Sequence, residues 1–243
     1  MVVSGLTYSQ IDTTSYNGGK EIFIGLDDKN YQVVREKVIR MAEERGGLRS
    51  YEELELSGDF DSIPDFIFLF DNIGDIEINS TREISIDTNF NKLSQLKGIR
   101  ITSNVKSISE GIVLDHLEGL DINYINKKFP SVVYKWHNLL EISLQGGSFD
   151  TIPKGISALT KLKRLNLSAN KIAKLTEEIG KLSALEVLSV CNNDLCTLPA
   201  SICNLKALRE LYVSYNRKIN IPAEQMNCIK GLPRFEKLYS ADF

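Results

Sequence analysis

The sequence predicts an α/β repeat solenoid. About eight short units would stack side by side, each giving one strand to a concave parallel sheet, with a small β/α cap at the N-terminal end. Three observations predict it. The first is self-similarity at a nearly fixed period. Leu162, Leu185 and Leu208 begin LKRLNLSANKIAKLTEEIGKLSA, LEVLSVCNNDLCTLPASICNLKA and LRELYVSYNRKINIPAEQ, with starts 23 residues apart. Working backwards, starts at Leu139, Leu117, Leu96, Ile73 and Tyr51 follow at 23, 22, 21, 23 and 22 residues. The second is alternation inside each unit, which points Leu165 and Leu167 inward and Asn166 and Ser168 outward, as a half-buried strand requires. The third is recurrent punctuation by Asn170, Asn193 and Asn216 and by Pro153, Pro199 and Pro222. The second half of each unit would return over the far side and bury Ile179 and Leu182, or Ile202 and Leu205. A single unit cannot cover its own leucines, so stacking is required. An amphipathic helical solenoid shares the leucine spacing but not the LxLxxN core, the regular prolines or the 23-residue period.

These residues spell LxxLxLxxNxLxxLPxxIxxLxxL, which resembles the leucine-rich repeat in its 23-residue LxxLxLxxNxLxxLPxxIxxL form. The match is strongest in the last four units. Earlier units depart from it, since Thr81, Ile125 and Gly147 replace the asparagine. The resemblance covers residues 51–230, about three quarters of the chain. It implies a horseshoe in which each asparagine side chain hydrogen-bonds free backbone groups of its turn and stacked copies form a ladder. It also implies protein binding through the concave face, and it carries no catalytic residue.

Both ends of such a stack need covers, because a terminal unit exposes a strand edge and a leucine-lined core. Residues 1–50 lie outside the repeat and are expected to be the N-terminal cap. Within them 20–26, KEIFIGL, reads as a strand. Asp27 or Asp28 can cap a following helix that runs to about Arg45. Val34, Val38, Met41 and Ala42 would form its apolar stripe and Gly46-Gly47 its end. Gly18-Gly19 after Asn17 reads as a hairpin-like turn and not a phosphate loop, since no GxxxxGK[ST] follows. Residues 231–243, with Leu232, Phe235, Leu238 and Tyr239, are expected to fold over the last unit as the C-terminal cap.

Composition bounds the function. A chain of 243 residues that is 42% hydrophobic and 25% charged can bury a core that needs neither disulfide nor metal. Its net charge of −3 leaves no footprint for nucleic acid, and no apolar run approaches the ~18 residues of a membrane span. The N-terminal residues lack a basic region followed by an apolar one. This leads us to expect a cytoplasmic protein, or one delivered to a host cytosol without a cleavable signal. Cys191, Cys196, Cys203 and Cys228 form no CxxC pair, and the two histidines, His116 and His137, lie far upstream. Reduced thiols acting as small apolar side chains are therefore expected. Nucleophile elbow, P-loop and dinucleotide fingerprint are all missing, and an open sheet offers no desolvated pocket. The expectation is a protein with no catalytic residue, no cofactor and no metal site.

Charge is uneven along the chain. Residues 51–95 hold 2 basic and 11 acidic residues, whereas 162–243 hold 12 and 8. In each unit the third, fifth, seventh and eighth positions should project onto the concave sheet. That assigns Glu53, Glu55, Asp75 and Glu77 to an acidic N-terminal end. Arg100, Asp121, Asn123, Tyr124, Glu141, Gln145, Arg164, Asn166, Tyr212 and Tyr215 follow along a polar face, the two eighth-position tyrosines serving as anchors. The function expected is a non-enzymatic protein–protein interaction module: an adaptor, inhibitor or recognition subunit, with a translocated bacterial effector as one variant. Its partner would be a protein with a basic patch facing the acidic repeats, and the chain a monomer. Two alternatives stand beside it. One is a self-associating structural repeat protein whose acidic and basic ends pair. The other is a calcium-dependent binder that uses the acidic strands as oxygen ligands.

Overall fold

In the computed structural model, residues 11–16, 19–27, 29–44 and 47–240 are described. The expectations for Asn17, Gly18, Asp28, Arg45, Gly46 and residues 241–243 lie outside them. The chain forms two compact units, Met1–His116 and Leu117–Phe243.

The first unit opens with β1 (Ile11–Tyr16), antiparallel to β2 (Gly19–Leu26), Ile11 opposite Ile24. Helix α1 (Tyr31–Glu43) follows. Its start is set by a reciprocal turn: the Asp27 carboxylate accepts from the N–H groups of Lys29 and Asn30, both at 2.8 Å, and Asn30 Oδ1 accepts from the Asp27 N–H. Val34 and Val38 are buried as expected, but Met41 is only half-buried and Ala42 is exposed, so the apolar stripe stops a turn early. Gly47, at φ +46°, follows the helix end.

Strands β3 (Glu53–Gly58), β4 (Asp75–Ser80) and β6 (Gly98–Ile108) then pair in parallel with β2 and one another, in the order β2-β3-β4-β6. The short β5 (Ile84–Ile86) runs alongside the second half of β6. Alternation holds throughout. Ile22, Ile24, Leu54, Leu56, Ile76, Ile78, Ile99 and Ile101 are at most 2% exposed, and each buried side chain contributes about 1.5–3 kcal/mol relative to exposure. The far side of this core is filled by Phe66, Ile67, Phe70 and Phe90.

The second unit keeps the period more strictly. Its strands β7 (Gly119–Tyr124), β8 (Glu141–Gln145), β9 (Arg164–Asn166), β10 (Val187–Ser189), β11 (Glu210–Tyr212) and β12 (Lys237–Tyr239) pair in parallel in sequence order. The return segments begin at Ser131, Lys154, Glu177, Ala200 and Ala223, 23 residues apart each time. The first four are 3-10 turns, and the fifth is helix α2 (Ala223–Lys230). Pro130, Pro153, Pro199 and Pro222 stand just before four of these segments, where a proline loses no hydrogen bond and its fixed φ suits the turn. Thr176 takes that place in the remaining one and accepts from the Glu178 N–H.

The asparagine ladder is present. Asn193 Nδ2 donates to the carbonyls of Leu167, Val190 and Cys191 at 3.0–3.1 Å, and its Oδ1 accepts from the Ile172 N–H at 2.9 Å. Asn216 repeats this against Val190, Val213 and Leu195. Asn170 donates to Leu144 and Leu167, but its buried Oδ1 has no protein partner. One unit back, Gly147 holds the asparagine position, and any side chain on it would run into Asn170 Oδ1 and the Tyr124 carbonyl. The residue before each of these positions is left-handed: Gly146 (φ 68°), Ala169 (57°), Asn192 (52°) and Tyr215 (60°).

One expectation is corrected. Cys203 and Cys228 are joined in a disulfide, with Cα atoms 5.9 Å apart, while Cys191 and Cys196 are free. The chain-distant pair meets because the return segments of adjacent units pack against each other. The C-terminal residues add a strand in register with the repeats: Glu210 pairs with Lys237, Leu211 with Leu238 and Tyr212 with Tyr239.

Candidate functional site

Each sheet has one face toward the core and one toward solvent, and the outward residues of neighbouring strands line up in columns. In the first unit the third-position column runs Glu21, Glu53, Asp75, Gly98, and the fifth runs Phe23, Glu55, Glu77, Arg100. Five carboxylates therefore share three adjacent strands, about 4.8 Å apart. Arg100 answers from β6, its Nη1 3.9 Å from Glu77. The seventh-position residues soften the crowding: Asn79 Nδ2 donates to both Glu55 and Glu77 at 3.4 Å and itself accepts from Thr102. Burial, then the neighbouring Glu21, push the Glu53 carboxyl above the usual range, and burial, then Glu77, do the same to Glu55. Like charges on adjacent strands disfavour simultaneous ionisation.

The second unit presents a different face. Its fifth-position column reads Asp121, Ser143, Asn166, Ser189, Tyr212, Tyr239. Opposite charges meet on neighbouring strands: Arg164 pairs with Glu141, and beside these columns Arg209 reaches Glu236 at 2.8 Å and Glu186 at 4.0 Å. Asn123, Gln145 and Ser168 continue the polar surface, with Gln145 donating to Ser143 at 2.9 Å. At the last strands the Tyr212 and Tyr239 rings stack 4.0 Å apart, and Lys237 Nζ lies 4.5 Å from the Tyr239 centroid. The hydrogen bond from Tyr212 to Glu210 raises the Tyr212 hydroxyl, whereas Lys237 beside Tyr239 lowers that one.

Of the fourteen residues the sequence assigns to this face, eight are exposed, five (Glu77, Asn123, Gln145, Asn166 and Tyr212) are half-buried and one is buried. Tyr124 is 4% exposed. β7 continues straight through it, so strict alternation sends it inward with Leu120 and Ile122. Tyr215, at the same repeat position, is 66% exposed because the left-handed turn throws it outward. The sequence reading also misses Glu21, Phe23, Lys237 and Tyr239. Their signal is present: EIFIGL at 21–26 has the same inward–outward order as ELELSG at 53–58, and KLY at 237–239 matches ELY at 210–212. Among the described residues no three carboxylate, thiol or imidazole groups converge as a metal site. No helix among them is long and apolar enough to cross a membrane.

Parallel strands and tight return segments, punctuated in the second unit by an asparagine ladder, give the chain the fold of leucine-rich repeat proteins. Residues 153–242 match the family model described as a leucine-rich repeat region, and the chain has the fold of that family. No curated protein matches it in sequence. Among solved structures it is similar to a leucine-rich repeat protein of Leptospira interrogans, at 18% identity and TM-score 0.66, covering 92% of this chain and 61% of that one. It is similar to InlP of Listeria monocytogenes at 16% identity and TM-score 0.69, covering 90% and 60%. It is also similar to the ectodomain of the Arabidopsis thaliana receptor kinase GASSHO1/SCHENGEN3, solved in complex with CASPARIAN STRIP INTEGRITY FACTOR 2, at 22% identity and TM-score 0.62, covering 79% and 24%. The chain thus spans about three fifths of the two bacterial proteins and a quarter of the receptor ectodomain. At these identities the likeness is one of fold. Leucine-rich repeat regions generally mediate protein–protein interaction.

Proposed function

We propose that this chain is a non-enzymatic recognition module that binds a basic protein surface through the solvent face of its first sheet. One observation carries the reading. Glu21, Glu53, Glu55, Asp75 and Glu77 stand on three neighbouring strands of the first unit, and the third- and fifth-position columns there hold one basic residue, Arg100. Such a one-sign field steers and orients an oppositely charged partner. The polar second face, with Asp121, Asn123, Glu141, Gln145, Arg164, Asn166, Tyr212 and Tyr215, adds hydrogen-bonding and aromatic contacts. Residues 1–50 serve as the N-terminal cap and extend the acidic face with Glu21. The protein acts as a monomeric adaptor, inhibitor or recognition subunit. The Cys203–Cys228 disulfide weighs against the cytoplasmic or host-cytosolic placement and favours an oxidising compartment.

The test compares capture from a native lysate by the wild type and by a variant with Glu53, Glu55, Asp75 and Glu77 all changed to Lys. A partner held by the wild type at low salt, weakened by salt and lost by the variant is the expected outcome. A partner retained equally by both sinks this reading.

A further inference from the structure

The last described strand of the second unit pairs like its neighbours but is less buried. β12 follows β11 at the end of this unit's strand order, and its ladder is three residues long. Leu238 and Tyr239 are only half-buried, whereas Leu211, at the position equivalent to Leu238, is fully buried. This half-burial directs attention to what holds β12 besides its own ladder.

The anchor is α2. It occupies the place of a 3-10 return segment and turns Gln225, Cys228 and Ile229, which share one helix face, toward the preceding unit. Gln225 Nε2 donates to the carbonyls of Leu198 and Pro199 at 3.2 and 2.9 Å, Ile229 is fully buried, and Cys228 is bonded to Cys203. The connection from α2 to β12 has little slack. The Gly231 N–H donates to Asn227, Leu232 to Ile229 and Phe235 to Leu232, and the N–H groups of Glu236 and Lys237 both reach the Arg209 carbonyl. Fixing α2 thus fixes where β12 can lie. On β12 the Tyr239 ring stacks on Tyr212, and the Tyr239 carbonyl accepts from the Val213 N–H at 2.9 Å. Both bonded cysteines are half-buried, within reach of a small dithiol.

We propose that the Cys203–Cys228 disulfide is a reduction-sensitive latch on the end of the second sheet. Oxidised, it clamps α2 and, through residues 231–236, holds β12 with Tyr239 against Tyr212. A dithiol opens it in two exchanges. One thiolate of the dithiol attacks a cysteine sulfur and forms a mixed disulfide, releasing the other cysteine as its thiolate. The second thiol of the dithiol, deprotonated, then displaces the remaining cysteine, so two electrons pass to the protein and the dithiol becomes a cyclic disulfide. Both cysteines end as thiols. α2 and β12 then separate locally, while β8 to β11, joined by the asparagine ladder, stay folded. Local opening of one segment without global unfolding is ordinary for repeat arrays.

The proposal does not rest on any partner, and its test needs none. Protein produced in an oxidising compartment is denatured and its thiols are counted before and after dithiothreitol. The expected counts are two and then four. Native hydrogen exchange is then compared with and without dithiothreitol. Amides in 223–239 should exchange at least tenfold faster on reduction, while those in 162–212 are unchanged. The near-ultraviolet signal of the tyrosine pair should fall in parallel. A variant with both Cys203→Ala and Cys228→Ala should match the reduced wild type whether or not the reductant is added. Four thiols before reduction would overturn the proposal. So would a reduced protein whose 223–239 protection is unaltered, or one whose whole second unit loses protection.

Discussion

At the scale of single residues, the asparagine ladder shows how one side chain replaces several lost backbone bonds. The chain leaves each strand of the second unit early, so carbonyls that would have paired in a longer sheet are stranded in the core. Asn216, fully buried, donates to Val190 and Val213 at 2.9 and 2.8 Å and accepts from Leu195. Asn216→Ala leaves these groups without partners, and each buried unsatisfied group costs about 1–3 kcal/mol. A loss of roughly 3 kcal/mol is expected by urea denaturation. Asn170→Ala should cost about 1 kcal/mol less, since its Oδ1 already lacks a partner. The ladder has a conformational cost too. Aiming each asparagine inward forces the preceding residue to positive φ, which costs an L-residue about 1–2 kcal/mol. Ala169, at φ 57° and half-buried, can be relieved: Ala169→Gly is expected to stabilise by ~0.5–1 kcal/mol. A destabilised variant would mean that its methyl group contributes more packing than the strain costs. The asparagines are legible because LxLxxN fixes their spacing. The left-handed residues are not, because alanine, asparagine, glycine and tyrosine all occupy that position and none announces its φ.

At the scale of elements, what could be read was the period, and what could not was where a strand stops. Tyr124 and Tyr215 share a repeat position, yet one is core and the other surface. The difference is whether the strand runs through the eighth residue or ends before it. Asn104 makes the same point. It sits at the asparagine position of the unit that begins at Leu96, but β6 continues to Ile108 and leaves Asn104 exposed. Strand length depends on what the neighbouring strand offers, here β5 alongside the second half of β6, and a local pattern does not carry that information. The disulfide was hidden for a related reason. The 23-residue period puts Met226, not Cys228, opposite Cys203. The last return segment is α-helical, with about 1.5 Å rise per residue against 2.0 Å for a 3-10 turn, so more residues fit the same length and a later one comes level. Closing a 25-residue separation contributes roughly 3–4 kcal/mol by constraining the unfolded chain.

At the scale of the whole molecule, charge separates function from stability. The four acidic residues the sequence picks out on the first sheet do share one face, but the fifth, Glu21, comes from a strand before the repeats begin. The helix between β2 and β3 breaks the period that would have revealed it. Clustering these carboxylates works against folding. For Glu55 the raised folded value has a definite sign: the folded state favours the protonated form. Its contribution is therefore most favourable below the unfolded carboxylate value near 4.5, and it is lost as pH rises through that value toward the raised folded one. At neutral pH the ionised cluster is a net liability. Replacing Glu55 by Gln should stabilise the protein at pH 7 by a few tenths of a kcal/mol, a small figure because the group is partly solvated and screened. The gain should vanish near pH 4, where the wild-type carboxyl is itself protonated. If the acidic face recognises a basic partner, the same substitution should weaken binding at pH 7 while raising the melting temperature. The partner should also bind the wild type more tightly as pH climbs through the carboxylate range. Thermal melts at pH 4 and pH 7, run beside binding at both, check the pair of outcomes. A variant that loses stability at pH 7 would mean that Glu55, through its bonds from Ser57 and Asn79, is there to hold the sheet and not to meet a partner.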